Sequence, residues 1–258
     1  MPGSWLLKAS LFGAFFVSAL AASASIPPCS SPRMDDYAHV DYVYDGDTLR
    51  LKDGRIIRLI AINTPEIARK KRPGEPLGKT AQRFLREQLK PGSRVGLRWG
   101  QEKRDHYDRL LAHVFTAEGD NLQAMLLEKG LAFTIARPPN LWANRCYRQI
   151  EKHARQHGKG VWGHAHYQPI PASQINAKTR GFHLVKGKIT QTHESQHVLW
   201  LKMGKQFAIK IPKEQLKFFA ASPYSLREKQ VTVRGWISRK QRQSYMTLHH
   251  PLDLDISS

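Results

Sequence analysis

The chain has 258 residues, of which 41% are hydrophobic and 24% charged, a globular composition that permits one large domain or two small ones. Its 41 lysines and arginines against 21 acidic residues give a net charge of +20. This excess favours polyanionic partners, although a basic surface without a specific partner would look the same. The chain has only two cysteines, and neither His164 with His166 nor His249 with His250 has the spacing of a helical zinc motif, which argues against transition-metal catalysis.

Residues 1–24 have the pattern of a signal peptide. Lys8 is a basic start, residues 11–20 are an apolar core, and residues 22–24 form a small-residue cleavage site. An uncleaved anchor helix is the alternative, but the apolar run is short for a membrane span. We therefore predict a secreted or periplasmic protein that has no membrane attachment once the signal is removed.

Cys29 and Cys146 are the two cysteines of the chain. In an exported protein such a minimal, even count suggests one disulfide. The alternative is two unrelated thiols, with Cys146 a small buried residue on a helix. Because Cys29 lies in a Pro/Ser-rich tail that has little means of ordering itself, we predict a disulfide that pins this tail to the helix.

The next part of the chain has the pattern of a β-hairpin rich in oxygen ligands. Strands are predicted at residues 37–44, 48–52 and 55–63, with an Asp-Gly turn at residues 53–54. Asp47 starts one strand and Asn63 ends its partner, so they are expected side by side. With Glu66 and Arg58 nearby, the set suits a hard cation and phosphate chemistry. Alternatively, Asp47 only shapes a turn and Arg58 is a surface residue paired with a carboxylate.

The pattern after the hairpin alternates helices with strands. A basic loop at residues 68–76 is either solvated or in contact with phosphates. Helices are predicted at residues 77–89, from a cap at Asn121 through Leu127, and at residues 141–158. Strands are predicted at residues 94–99 and 110–116. Five strands with inserted helices predict an OB-type β-barrel with helices, an α+β fold.

The C-terminal part is predicted to form a second small OB-like β-barrel. Residues 165–178, with two prolines and little periodicity, are expected to be a linker to a module at residues 179–258. Its strands are predicted at residues 182–190, 197–203, 206–211, 230–238 and 244–249, with a helical patch at residues 213–219. Residues 173–258 carry 15 basic and 5 acidic side chains. The module could bind nucleic acid or merely pack on the first domain.

Three motifs resemble the signature of the staphylococcal nuclease (thermonuclease) family. The first is Asp-Gly-Asp-Thr at residues 45–48 with Arg-Leu-Ile-Ala-Ile-Asn-Thr-Pro-Glu at residues 58–66. The others are Asp-His-Tyr-Asp-Arg-Leu-Leu-Ala at residues 105–112 and Gly-Lys-Gly-Val-Trp-Gly at residues 158–163. The resemblance covers about half of the chain and implies an OB-fold nuclease domain at residues 37–164.

The resemblance also implies a reaction, a cofactor and a set of site residues. The expected activity is Ca²⁺-dependent endonucleolytic hydrolysis of DNA, with RNA left open as a second substrate. Attack at phosphorus would break the P–O5′ bond and leave 3′-phosphate products. The Ca²⁺ ligands would be side-chain oxygens of Asp47 and Asn63 and the carbonyl of Thr64. Glu66 would orient or deprotonate the attacking water, Arg58 and Arg109 would clamp the phosphate, and Tyr107 would contact a terminal or neighbouring phosphate.

Several positions depart from the family pattern. Asn63 stands where the family has Asp, so one ligand charge is lost. His106 and Asp108 replace Lys and Gly. The aromatic pair that follows the second helix in the family is not evident here. Either Phe133 takes part of its base-stacking role, or the site grips bases less firmly.

The alternative function is a non-catalytic nucleic-acid-binding protein in which Asn63 has disabled metal binding. Arg58, Glu66 and Arg109 discriminate, because a protein that only binds has no reason to keep all three in register. Their presence favours the enzyme. No pattern indicates a stable protein partner.

Overall fold

The structure is a computed structural model that describes residue 1 and residues 29–69, 73–241 and 243–257. Apart from residue 1, the predicted signal peptide lies outside the described residues. Within them, no helix is both long and apolar enough to cross a membrane.

The N-terminal half folds into strands interrupted by helices. Its strands are β1 (Asp36–Val43), β2 (Thr48–Leu51), β3 (Ile56–Leu59), β4 (Ile62–Asn63), β5 (Arg94–Arg104), β6 (Leu110–Phe115) and β7 (Phe133–Thr134). Its α-helices are α1 (Gly78–Gln88), α2 (Leu122–Glu128) and α3 (Asn144–Gln156). The predicted helices are confirmed to within a few residues at each end. The predicted cap is also confirmed, since the Asn121 side chain accepts a hydrogen bond from the amide of Ala124.

Five of these strands form a closed barrel in the order β1-β2-β3-β6-β5. Neighbouring strands are antiparallel except β3 and β6, which pair in parallel with Arg58 opposite Leu111. Alternate residues such as Val40, Leu49 and Leu97 point inward and are fully buried, as the period of a strand requires. This architecture confirms the predicted OB fold for the first domain.

The predicted third strand is shorter than the expected run of residues 55–63. It ends at Leu59, because Ala61 adopts a left-handed backbone with φ of 66°, which an extended strand does not accommodate. The chain resumes as β4, which pairs with β7 and places Asn63 opposite Phe133. Asn63 therefore leaves the barrel and lies on a separate two-stranded ladder.

The C-terminal part forms a second sheet. Its strands are β8 (Ile170–Pro171), β9 (Gly181–Lys188), β10 (Gln191–Glu194), β11 (Val198–Met203), β12 (Phe207–Pro212), β13 (Gln230–Lys240), β14 (Gln243–Thr247) and β15 (Leu254–Ile256). The predicted helical patch is a 3-10 helix, Lys213–Phe218. Sequence analysis missed β8, β10 and β15, which are short.

The pairing of this sheet has the topology of an OB barrel. The order is β10-β11-β12-β14-β13-β9-β8, and β9 and β10 are consecutive segments separated by Ile189 and Thr190. Residues 181–194 therefore pair with β13 through one end and with β11 through the other. In the first barrel, β1 likewise pairs with β5 through its first half and with β2 through its second half. The parallel pair of β12 and β14 corresponds to that of β3 and β6. This confirms a second OB-like barrel.

The segment predicted as a linker is packed. Tyr167 is buried and donates a hydrogen bond to the carbonyl of Pro76. β8 pairs in parallel with β9, and Ala172 and Ile175 belong to the core of the second barrel. The apolar residues of this segment follow neither a helix period nor a strand period, so the sequence did not predict that they are buried. Their burial depends on tertiary contacts.

An apolar cluster lies between the two barrels. Phe133 is 1% exposed, and its ring centroid lies 5.1 Å from that of Trp162, 5.5 Å from that of Tyr167 and 5.2 Å from that of Phe182. Phe182 belongs to β9 of the second barrel. The contact buries aromatic surface from both barrels, which stabilises their association.

A buried ionic network lies beside this cluster. Arg234 of β13 pairs with Glu151 of α3, and their side chains are 2% and 0% exposed. Glu151 also accepts hydrogen bonds from the backbone amide and hydroxyl of Thr134 in β7. Arg148 bridges Glu151 to Asp255. The network therefore joins the second barrel to α3 and to the strand that pairs with β4.

Candidate active site

The Asp-Gly-Asp turn between β1 and β2 brings Asp47 against Thr64. One carboxylate oxygen of Asp47, Oδ2, accepts hydrogen bonds of 3.0 Å from both the backbone amide and the hydroxyl of Thr64. Gly46 allows this approach, because a Cβ there would lie 2.8 Å from the Thr64 hydroxyl oxygen and 2.7 Å from the Cβ of Ala81. The glycine is thus required by close packing of the turn on α1 and on Thr64.

Arg58 is fixed at the centre of this site. Its Nη2 atom lies 2.9 Å from Asp47 Oδ2, and the two side chains are only 13% and 8% exposed. The guanidinium also donates to the carbonyl oxygens of Leu59, at 2.6 Å, and of Ile62, at 3.1 Å. These carbonyls are available because the chain turns after β3. The turn that shortens the predicted strand is therefore what orients Arg58.

Asp45 is a second buried carboxylate in the same turn. It accepts a hydrogen bond from the Asp47 amide, and its Oδ2 lies 2.5 Å from Nη2 of the exposed Arg69. Burial, with the charge of Asp47 added, raises the pKa of Asp45 to about 7. Two neighbouring buried carboxylates create a site where a cation is favourable. Sequence analysis gave Asp45 no role beyond its place in the Asp-Gly-Asp-Thr motif, since its burial could not be seen.

Glu66 lies on the surface after the Thr-Pro segment. Its backbone amide donates to the Glu75 carboxylate at 3.0 Å, and its carbonyl accepts from the Glu75 amide at 2.8 Å. Gly78 lets α1 start against this carbonyl, because a Cβ there would lie 2.4 Å from it. Partial desolvation and the charge of Asp47 raise the pKa of Glu66. Glu75 is thus a positioning residue that the sequence motifs did not single out.

Arg109 reaches the site from the start of β6. Its Nε and Nη2 atoms form a fork to Asp105 Oδ2, at 2.8 and 2.7 Å. Its Nη1 atom lies 3.5 Å from the Thr48 hydroxyl, which in turn donates to Asp47 at 3.1 Å. Desolvation by itself raises the pKa of Asp105. The hydrogen bonds with Arg109 and the positive charge of Arg109 outweigh it, so the pKa of Asp105 is lowered. Asp105 therefore orients Arg109 toward Thr48 and Asp47.

The two predicted substrate contacts have different environments. Tyr107 is 69% exposed, and the guanidinium carbon of Arg109 lies 5.3 Å from its ring centroid. Its ring is thus accessible beside Arg109. Phe133, in contrast, is enclosed in the apolar cluster between the barrels. The predicted base-stacking role of Phe133 is wrong, because a ring packed against Trp162 and Phe182 offers no face to a base.

Of the remaining predicted metal ligands, Thr64 lies beside Asp47 and Asn63 precedes Thr64 in the chain. Thr64 and Asn63 are buried, and Thr64 contacts Asp47 directly. The Asn63 side chain has no hydrogen-bond partner among the described residues, so its amide oxygen is available. No cluster of three or more His, Cys, Asp or Glu side chains suited to a metal occurs in the described residues. A metal would therefore need amide or carbonyl oxygens in addition to carboxylates.

The predicted disulfide is present between Cys29 and Cys146, which are 117 residues apart in sequence. The carbonyl of Cys29 accepts a hydrogen bond of 2.9 Å from the Asn121 amide group. Cys29 is buried, so the tail before β1 is held against α3 and the start of α2.

Known proteins are similar to the part of the chain that contains the first barrel and this site. A family model described as "Staphylococcal nuclease homologue" matches residues 56–164. The thermonuclease of Staphylococcus intermedius is 34% identical over 126 residues, which are 48% of this chain and 74% of that protein. The thermonuclease of Staphylococcus hyicus is 32% identical over 123 residues, or 46% of this chain and 72% of that protein. Endonuclease YhcR of Bacillus subtilis is 30% identical over 138 residues, or 48% of this chain and 11% of that protein.

A closed OB barrel that bears buried carboxylates beside arginines defines a class of phosphate-handling domain. Together with these similarities it identifies the family. The chain belongs to the staphylococcal nuclease family and is a nuclease that hydrolyses phosphodiester bonds, so its substrate is nucleic acid. The enzymatic prediction is confirmed over the alternative of a protein that only binds.

Proposed function

We propose that this nuclease is an exported, Ca²⁺-dependent endonuclease that cleaves DNA and RNA with the residues of the Asp47 site. One observation carries the proposal. Asp47, Arg58 and Arg109 converge at one end of the first barrel, where Asp47 contacts Arg58 directly and reaches Arg109 through the Thr48 hydroxyl. The arrangement combines a binding site for a hard cation with two cationic forks for a phosphate.

The oxygen donors of this site fit a calcium ion. Asp47 Oδ2 is occupied by Thr64 and Arg58, whereas Oδ1 accepts a hydrogen bond from the Thr48 hydroxyl and can also ligate a cation. The Asn63 amide oxygen and the Thr64 carbonyl would complete a set made only of oxygen atoms, which favours Ca²⁺ over softer metals. The raised pKa of Asp45 is consistent with a cation, whose charge would keep that carboxylate ionised. When bound, the ion would neutralise charge that develops on the phosphoryl oxygens.

The residues of the chain would divide the remaining work. Glu66 is exposed at the rim, where it can hydrogen-bond a water and accept a proton from it as the water attacks phosphorus. Its raised pKa brings it closer to that of an effective base at neutral pH. Arg58 and Arg109 would donate to the non-bridging phosphate oxygens, and Tyr107 would contact a neighbouring phosphate. The P–O5′ bond would break, leaving the phosphate on the 3′ oxygen.

Export is supported by the pattern of residues 1–24 and by the disulfide. A disulfide persists in oxidising compartments and is rare in the reducing cytosol. The domain limits at residues 37–164 and 179–258 remain part of this proposal, with residues 170–175 attached to the second barrel by their packing.

Hydrolysis of a fluorogenic oligonucleotide tests the proposed roles. We expect activity in millimolar Ca²⁺ and its loss in chelator, and a fall in kcat of about 10²- to 10⁴-fold in Glu66→Gln. Glu118→Gln, an exposed carboxylate in the turn between β6 and α2 and outside the site motifs, is the control. For Arg109→Ala the matched control is Arg104→Ala, because Arg104 forms the same kind of pair with Asp108 on the surface. Full activity in chelator would contradict the calcium mechanism, and near-native rates in both site variants would contradict the roles.

A further inference from the structure

The second barrel has an outer sheet face made of half-buried aromatic and basic side chains. The aromatic–basic face consists of Trp200 and Lys202 on β11, Lys210 on β12 and Tyr245 on β14. Each of these side chains is half-buried, whereas their strand neighbours Leu199, Leu201 and Met246 point inward and are buried. The four residues therefore lie on the outer surface of the barrel, on three adjacent strands.

Strand pairing brings these side chains together. Trp200 is opposite Lys210, and Lys202 is opposite Ala208, which pairs in turn with Tyr245. The small Ala208 leaves room for the rings of Trp200 and Tyr245 to meet, with centroids 5.7 Å apart and planes at 82°. The ammonium of Lys210 lies 5.9 Å from the Tyr245 centroid. The rings are thus held in place by packing, with positive charge beside them.

In the first barrel, the face formed by the equivalent strands carries Arg58, the proposed catalytic arginine. There, Thr48 of β2 is opposite Arg58 of β3, which pairs with β6. In the second barrel, β11, β12 and β14 occupy the positions of β2, β3 and β6. The two faces are therefore topologically equivalent. Strands β11, β12 and β14 contain no Asp or Glu among their described residues, as is also true of β2, β3 and β6, next to which the active-site carboxylates lie in loops.

We propose that the aromatic–basic face is a second nucleic-acid site, which binds single-stranded DNA or RNA outside the catalytic barrel. This proposal relies on the nuclease function for the class of ligand. Aromatic rings accept stacked bases of any sequence, and neighbouring lysines neutralise the backbone. The second and third strands of an OB barrel are the usual place for such binding. Bases of a duplex are already stacked, so an unpaired strand is the better ligand.

Binding is measured apart from catalysis. The full chain is titrated in chelator with a fluorescein-labelled oligothymidylate of about 16 nucleotides, enough for an OB site, and electrophoresis checks that the strand stays intact. In Trp200→Leu with Tyr245→Leu, affinity should fall on the order of tenfold. In Lys202→Gln with Lys210→Gln, the slope of log K against log salt should shrink by about 1.4, since each phosphate contact contributes about 0.7 on a single strand.

The charge-matched control is Lys186→Gln with Lys229→Gln, two exposed lysines of the second barrel outside this face. The control should retain affinity and salt slope, and hydrolysis of a dinucleotide should be unchanged in every variant. Unchanged affinity in both face variants would overturn the proposal. So would equal weakening in the control, equal losses for duplex DNA, or a fall in dinucleotide turnover. Because the readout is binding, it remains interpretable even if the proposed catalytic roles fail.

Discussion

The buried pair of Arg234 and Glu151 gives a sharp test of how the two barrels support each other. Arg234 Nη1 lies 2.6 Å from Glu151 Oε1, and both side chains are almost fully buried. Arg234→Met keeps much of the volume but removes the charge that compensates Glu151. Breaking a buried ion pair in this way typically costs about 3–5 kcal/mol. Glu151 retains Arg148 and the two donors of Thr134, so we expect a loss near the lower end, about 3 kcal/mol.

Urea unfolding followed by circular dichroism measures this loss, with the midpoint and the m-value fitted separately. Lys188→Met is the control, because Lys188 and Glu228 form an ion pair on the same barrel with side chains 53% and 59% exposed. Such an exposed pair contributes about 0–1 kcal/mol. The double variant Arg234→Met with Glu151→Gln should lose less than the sum of its parts, since the second change removes the uncompensated charge. A loss in Arg234→Met no larger than that in Lys188→Met would refute the argument.

Three further predictions concern the first barrel. Replacing Cys29 or Cys146 by Ser should lower the free energy of unfolding by up to about 4–5 kcal/mol for a loop of 117 residues, measured as a fall in Tm with activity retained at moderate temperature. Asn63→Asp should tighten Ca²⁺ binding by adding a charged ligand, and calorimetry that showed weaker binding would contradict the ligand assignment. Without metal, the stabilising contribution of Asp45 should be full below about pH 4 and be lost as pH rises through about 7, because its folded pKa is raised. Asp45→Asn should therefore reduce the pH dependence of the free energy of unfolding across this range. The pH dependence that remains should be due to Asp253, whose pKa burial also raises to about 7.

The sequence predicted the first barrel well because its signals are local. The Asp-Gly turn, the Asn121 cap and the alternation of buried residues each depend on a few neighbouring positions. The same kind of signal found most strands of the second barrel. It could not show that residues 181–194 form one bent segment that closes that barrel, because closure depends on pairing with strands far away in sequence.

The sequence motifs predicted the main residues of the candidate site. They did not predict the residues whose roles depend on burial in the folded chain. Asp45 and Asp47 look alike in the sequence, and their shared burial is visible only in the folded chain. The positioning roles of Glu75 and Asp105 depend on hydrogen bonds to Glu66 and Arg109 that no spacing rule predicts. The error at Phe133 has the same origin, since an aromatic residue after a helix suits a base-stacking site and a domain contact equally well.

The contact between the barrels makes the second barrel part of the structural support of the active site. Asn63 lies on β4, which is held by β7, and Thr134 of β7 is bonded to Glu151. Glu151 is buried and depends on Arg234 of the second barrel for its charge compensation. The same β7 strand places Phe133 in the apolar cluster. The strand that carries Asn63, a proposed metal ligand, is therefore stabilised in part by groups beyond residue 164, where the nuclease family model ends. The family motifs alone thus do not contain everything that orders this site.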